Sequence, residues 1–318
     1  MHEHATALSK IRANAPALIG TVSCGAKSMK DILLVIPGLD GDPRLLAALP
    51  WPRPYHVVIF DHSRDAASDG VDGLAERALA LVDRQFGDHA SFVLCGESFG
   101  STIALTLARR HPTRVRGLLL LSAFGWYPWP NRALVHLGML TWRLLGNRVA
   151  DLVLRLGRVL GPLVELSRTI VDYSQLNEPD LPAYRAKCNI VLRFDARPWL
   201  AEVRCPTLIV GGRLDLVVPP SAGHTLARSI PAAERRVLTG GHIAHLSRPV
   251  LAETILSAWL QRLALGGAAD LESGEVLDRL VPIDVEVADE RPGRPAPTPP
   301  QHVLDSAPRT FEHGLDTT

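Results

Sequence analysis

The sequence predicts an α/β protein: a mostly parallel sheet covered by helices on both faces, with a helical segment inserted midway along the chain. Short, continuously apolar runs alternate with longer stretches of helical periodicity, the order produced when crossover helices link parallel strands. That alternation breaks from Phe124 to Pro198 and then resumes. A chain of 318 residues with 47% apolar content also supplies a core large enough for one such domain.

Five strands are expected at 31–36, 56–60, 92–95, 118–121 and 207–210, each short and lacking the polar alternation of a half-exposed strand. The stretch 13–23, broken by Asn14 and Pro16, reads as a sheet-edge strand rather than a signal peptide. Helical spacing places Leu74, Ala78, Leu81 and Val82 on one face of 73–86, and 101–110 forms a second helix stopped by His111-Pro112. Pro249 opens a last helix in which Leu251, Ile255, Trp259 and Leu263 recur every four residues, ending at Gly266-Gly267.

The break at 124–198 is too long for a simple connection and is expected to be a helical cap, or lid. One of its helices carries the stripe Val149, Leu152, Val153, Leu156, Val159, Leu160 and Leu163. The expected organisation is thus a core of 1–123 and 199–267, the cap at 124–198, and a tail at 268–318. The tail is acidic, then rich in proline, and is expected to be largely disordered.

A formal net charge of +1 argues against a nucleic-acid partner. Cys24, Cys95, Cys188 and Cys205 stand far apart without metal-ligand spacing, so no metal site is expected and the thiols read as free. With no uncharged apolar run of membrane-spanning length, a cytoplasmic location is the default.

The chemistry concentrates in Gly96-Glu97-Ser98-Phe99-Gly100, a G-x-S-x-G sequence set between a strand and a helix. Glycines at both ends allow a tight turn that exposes the serine hydroxyl above the sheet. The plainer alternative is a turn serine capping the following helix. A serine hydroxyl is a poor nucleophile at neutral pH, so it needs a base, usually histidine, itself oriented by a carboxylate.

At this point the chain resembles the α/β-hydrolase family, in which the triad runs in the order serine, acid, histidine, each on the loop after a strand. Gly211-Gly212-Arg213-Leu214-Asp215-Leu216-Val217-Val218-Pro219 is similar to the family's acid loop, and Gly240-Gly241-His242 before Pro249 is similar to its histidine loop. The resemblance implies Ser98 as nucleophile, Asp215 as acid and His242 as general base. His245 is the competing base and Asp195 the fallback acid.

By the same resemblance the oxyanion hole comprises the backbone N–H groups of Leu39, in Ile36-Pro37-Gly38-Leu39-Asp40-Gly41, and of Phe99. Two departures stand out. Pro37-Gly38 replaces the His-Gly of many relatives, removing a histidine that can brace the loop. Phe60-Asp61-His62-Ser63-Arg64 also lacks the usual Arg-Gly of that loop and alters the mouth of the site.

The expected function is hydrolysis of a carboxylic ester through an acyl-serine intermediate, with no cofactor, since serine, base and oxyanion hole complete the machinery. Thioester hydrolysis, carbon-carbon bond hydrolysis and a catalytically silent ligand-binding relative are the alternatives. A small-molecule ester or thioester is therefore the expected partner. Arg132, Arg143, Arg148, Arg155 and Arg158 suggest an acyl or lipid-like substrate; a solvated outer face is preferred over membrane-surface contact. Oligomeric state has no signature in the sequence.

Overall fold

The computed structural model describes residues 31–47, 49–52, 55–145, 180–265 and 286–287. The expected strand at 13–23, Cys24 and the apolar stripe at 149–163 lie outside them, as does the expected tail apart from two residues. The chain divides into two units, 1–288 and 289–318, and the second lies outside the described residues. Among the described residues no helix is long and apolar enough to cross a membrane.

The elements run in the order β1 (Ile32–Ile36), α1 (Arg44–Ala47), β2 (His56–Ile59), α2 (Gly70–Phe86), β3 (Phe92–Glu97), α3 (Gly100–Arg110) and β4 (Val115–Leu121). There follow α4 (Trp129–Leu145), α5 (Leu181–Arg193), β5 (Thr207–Gly212), α6 (Pro220–Ser229), β6 (Ala233–Leu238), α7 (Ala244–Ser247), α8 (Pro249–Ala264) and β7 (Glu286–Val287). The sheet order is β2-β1-β3-β4-β5-β6-β7, parallel from β2 to β6, with β7 antiparallel.

The apolar runs have a direct physical reason. Successive strand residues point to opposite faces, and here both faces are covered. Leu34, Ile36, Leu94, Leu118 and Leu120 join one core cluster with Leu74, Ala78, Val82, Ile103 and Leu107 of α2 and α3. Leu33, Val35, Val93, Cys95, Leu119 and Leu121 join another with Leu256, Trp259 and Leu260 of α8. β6 had no such signature: Glu234, Arg235 and Arg236 occupy its middle, only half-buried, and Glu234 pairs with Arg262 and Arg236. Charge satisfied by neighbours hid a strand that an apolar pattern would have revealed.

Between β4 and β5 the chain leaves and returns through a narrow neck. Ala196 N–H donates to Gly125 O at 2.7 Å, and Trp126 pairs with Asp195 as an antiparallel bridge. α4 and α5 lie beyond this neck and pack against each other. Asp180 caps α5, its carboxylate accepting from Ala183 N–H at 3.0 Å, with Pro182 in the first turn.

The topology also selects the functional edge. From β1 the chain goes first to one side, β2, and then to the other, β3, so the loops after β1 and β3 diverge at the carboxyl edge of the sheet. Such a switch point opens a crevice.

Candidate active site

Five loops converge on that carboxyl edge, one after each strand from β1 and β3 to β6, and together they bring in the nucleophile candidate and its partners. Ser98 follows β3 with φ of 49°, a left-handed conformation that costs a non-glycine residue about 1–2 kcal/mol. Its N–H donates to Leu121 O at 2.8 Å, and α3 starts two residues on. A Cβ on Gly100 would lie 2.2 Å from Ile36 O, so only glycine lets the start of α3 pass β1. The turn thus presents the hydroxyl beside a helix N-terminus, whose partial positive charge favours a developing anion.

His242 Nε2 lies 2.9 Å from Ser98 Oγ, and His242 Nδ1 lies 2.8 Å from Asp215 Oδ2. Asp215 is buried, and its Oδ1 accepts from the N–H groups of Val217 and Val218 at 2.9 and 2.8 Å. A carboxylate so surrounded is an acceptor. The network therefore assigns the imidazole proton to Nδ1 and leaves the Nε2 lone pair facing the serine hydroxyl. Ser122, after β4, has φ of 46° and donates its hydroxyl to the backbone carbonyl of His242, tethering the histidine loop from a strand the sequence did not implicate.

The competing residues stand elsewhere. His245 is buried on α7 with Nε2 lacking a hydrogen-bond partner, and burial pushes its imidazole down to about 3. Asp195 is held by Arg197 at 2.6 and 2.9 Å, a guanidinium that also lies 4.2 Å from the centroid of Trp126. The Arg197 hydrogen bond keeps its carboxyl below the usual range. Neither stands in the Ser98, His242 and Asp215 chain of contacts.

The loop of Leu39 and the backbone of Phe99 lie next to Ser98. Phe99 follows it directly at the N-cap of α3, and the loop of Leu39 lies against it: a Cβ on Gly38 would be 3.5 Å from Ser98 Cβ and 2.4 Å from Glu97 Oε2. Glu97, at the end of β3, is buried, and Gly38 N–H reaches its carboxyl. Desolvation by burial pushes this carboxyl up to about 7 against the opposing pull of His242. Burial also raises Asp40 in the same loop.

Sequence reasoning left Glu97, Ser122, His62 and Lys187 without a role. A signal existed for Lys187: Ala183, Lys187 and Val191 recur every four residues along the buried face of α5, so a lysine breaks the apolar pattern. Among the described residues, no group of three or more His, Cys, Asp or Glu side chains is arranged to hold a metal ion.

Comparison with known proteins places these loops in context. The profile of the family described as serine aminopeptidase, S33, matches residues 65–246, more than half of the chain, and the match includes Ser98, Asp215 and His242. RutD of Serratia proteamaculans (strain 568), a proposed carbamate hydrolase, is 28% identical over 220 residues, 65% of this chain and 81% of that protein. The pimeloyl-[acyl-carrier protein] methyl ester esterase of Neisseria meningitidis serogroup A is 29% identical over 251 residues, 75% of this chain and 76% of that protein. Among solved structures, the enol-lactonase from Burkholderia xenovorans LB400 superposes with a TM-score of 0.61 at 21% identity. It covers 74% of this chain and 92% of its own, a likeness of fold.

Proposed function

The chain belongs to the serine aminopeptidase S33 family of α/β hydrolases and is a hydrolase; from that premise we propose that it cleaves a carboxylic ester of an acyl or lipid-like small molecule through an acyl-serine intermediate. The observation that carries this reading is the unbroken chain of contacts from Asp215 through His242 to Ser98, at 2.8 and 2.9 Å.

Ser98 Oγ attacks the ester carbonyl carbon as His242 Nε2 takes the hydroxyl proton, and the carbonyl electron pair moves onto oxygen. The N–H groups of Leu39 and Phe99 receive that oxyanion. Collapse of the adduct re-forms the carbonyl and breaks the bond to the alcohol, which departs with the proton from His242. Water then attacks the acyl-serine, giving its proton to His242, and Ser98 leaves with that proton as the carboxylic acid is released. Asp215 holds the imidazole tautomer and stabilises the imidazolium. Each proton and electron pair is accounted for by these groups, so the reaction asks for no cofactor.

The segment between β4 and β5 acts as the lid in this reading. Asn131 of α4 donates to the carbonyls of Leu216 and Val217 at 2.8 and 3.1 Å, and the Tyr127 hydroxyl donates to Val217 O at 2.7 Å. α4 is thereby tied to the acid loop. Leu214, Leu216 and Val217, with Trp129, Leu134 and Leu137 of α4, expose apolar surface suited to an acyl chain. The similarity to RutD supports carbamates as a second substrate class, since the same attack expels a different leaving group.

Intact-mass spectrometry after fluorophosphonate treatment tests the reading without a known substrate. One adduct is expected on Ser98, none on Ser98→Ala, and labelling slowed by about a hundredfold or more on His242→Ala. Turnover of p-nitrophenyl esters and carbamates then separates the classes. A folded wild-type protein that takes no adduct while a control esterase is labelled would overturn the proposal.

A further inference from the structure

Beneath the loop of Leu39 lies a set of buried polar groups that the acyl-transfer steps do not use. The loop closes on itself through Gly41 N–H donating to Gly38 O at 3.1 Å. His62, on the loop after β2, then holds it twice: His62 N–H donates to Gly41 O at 3.1 Å, and the ring Nε2 stands 3.2 Å from Pro37 O. A carbonyl only accepts, so Nε2 carries the ring proton. The ring is 1% exposed and lies 5.5 Å from the centroid of Phe60 and 5.8 Å from that of Phe99. A Cβ on Gly41, whose φ is +73°, would fall 2.6 Å from both His62 Nδ1 and the His62 carbonyl carbon. Glycine there is what allows the ring to close on the loop.

The carbonyl of His62 is bound in turn. Lys187 Nζ donates to it at 2.6 Å, from α5, with the lysine side chain wholly buried. Burial pushes the Lys187 ammonium's pKa down, and the fields of Asp40, then Asp65, Asp180 and Asp61, partly offset it. Burying an ammonium is expensive unless compensated, and the triad gives no reason for one at this place. Burial and the neighbouring Lys187 charge push His62 down to about 4, which keeps the ring neutral and its Nε2–H a fixed donor around neutral pH.

We propose that His62 and Lys187 are positioning residues for the oxyanion hole: His62 fixes the carbonyl of Pro37, two residues before Leu39, and Lys187 fixes His62, so that α5 sets the aim of the Leu39 N–H. The inference rests on the acyl-transfer reading above, with Leu39 as an oxyanion donor.

Three variants test it. His62→Phe keeps an aromatic ring beside Phe60 and Phe99 but lacks the donor. His62→Gln carries an amide N–H that reaches toward Pro37 O, and Lys187→Met keeps an apolar stem without the ammonium. The readouts are the second-order rate of fluorophosphonate labelling at Ser98, kcat and KM for p-nitrophenyl butyrate, and Tm.

His62→Phe is expected to lower the labelling rate and kcat about tenfold or more with KM within about twofold, because a misaimed oxyanion donor weakens the transition state selectively. His62→Gln should restore most of that loss, and Lys187→Met should fall between. Wild-type rates in His62→Phe, or equal losses in the Phe and Gln variants with KM rising in step, overturn the inference. If His62→Phe does not fold, Lys187→Met decides, and a wild-type labelling rate there overturns it. Wild-type protein that neither labels at Ser98 nor turns over the ester instead overturns the acyl-transfer reading itself.

Discussion

His242 and His62 carry the same side chain into opposite surroundings. The His242 side chain retains 17% exposure, with a carboxylate at Nδ1 and a hydroxyl at Nε2. His62 is buried, with a carbonyl at Nε2, no partner at Nδ1 and an ammonium on its own backbone oxygen. The first setting stabilises an imidazolium when one forms; the second forbids it. A histidine becomes a base or a fixed donor according to its burial and the charge of its neighbours, and residue type alone does not distinguish the two.

The largest expected effect comes from removing the carboxylate that stands at His242 Nδ1. Asp215→Asn should lower kcat by about 10³–10⁴-fold with little change in fold, by analogy with the loss of tautomer control in serine proteases. Asp195→Asn, which disturbs only the Arg197 pair, should stay within about twofold in steady-state assays. Equal losses in the two variants would dissolve the contrast between the acids.

A middle-sized effect concerns the histidines that burial keeps neutral. His62 and His245 bind protons near pH 6.5 when unfolded but only near about 4 and about 3 when folded. Below pH 6.5 the unfolded chain therefore binds more protons, so stability falls from about pH 6.5 toward about 4 for His62 and about 3 for His245. His245→Gln should flatten the dependence of unfolding free energy on pH by about 1.4 kcal/mol per pH unit between pH 5.5 and 4.5. Urea unfolding at those pH values measures it; parallel slopes in wild type and variant would remove the claim that His245 is held neutral. His242 has no such burial.

The smallest effect sharpens the tether on the basic side. Ser122→Ala removes the hydroxyl that donates to the carbonyl of His242. A hydrogen bond of about 1 kcal/mol corresponds to about a fivefold fall in kcat if it serves alignment. An unchanged kcat with lowered Tm would make Ser122 a purely structural contact.

The Ser98 turn was legible because its requirements are local. Gly96-Glu97-Ser98-Phe99-Gly100 must lie between a strand and a helix, and both could be read from apolar runs and periodicity. Strand ends were less legible: β4 begins at Val115 and β3 runs through Glu97, because pairing with a neighbour extends a strand past its apolar stretch. β6 escaped notice for the related reason that ion pairs with α8 substitute for apolar burial. The bracing of the Leu39 loop was illegible, since His62 and Lys187 are separated by 125 positions. Only the lysine standing in the apolar stripe of α5 hinted at it.

By itself the sequence determined the alternation of strands and helices and the tight serine turn, because each depends on the covalent neighbourhood of a few residues; the order of serine, acid and histidine was legible only through the resemblance to the α/β-hydrolase family. The tertiary structure decided which carboxylate faces His242, which histidine faces Ser98 and which stays neutral. Those choices depend on distances across the sheet edge and on burial, and both are created only when loops from different strands meet.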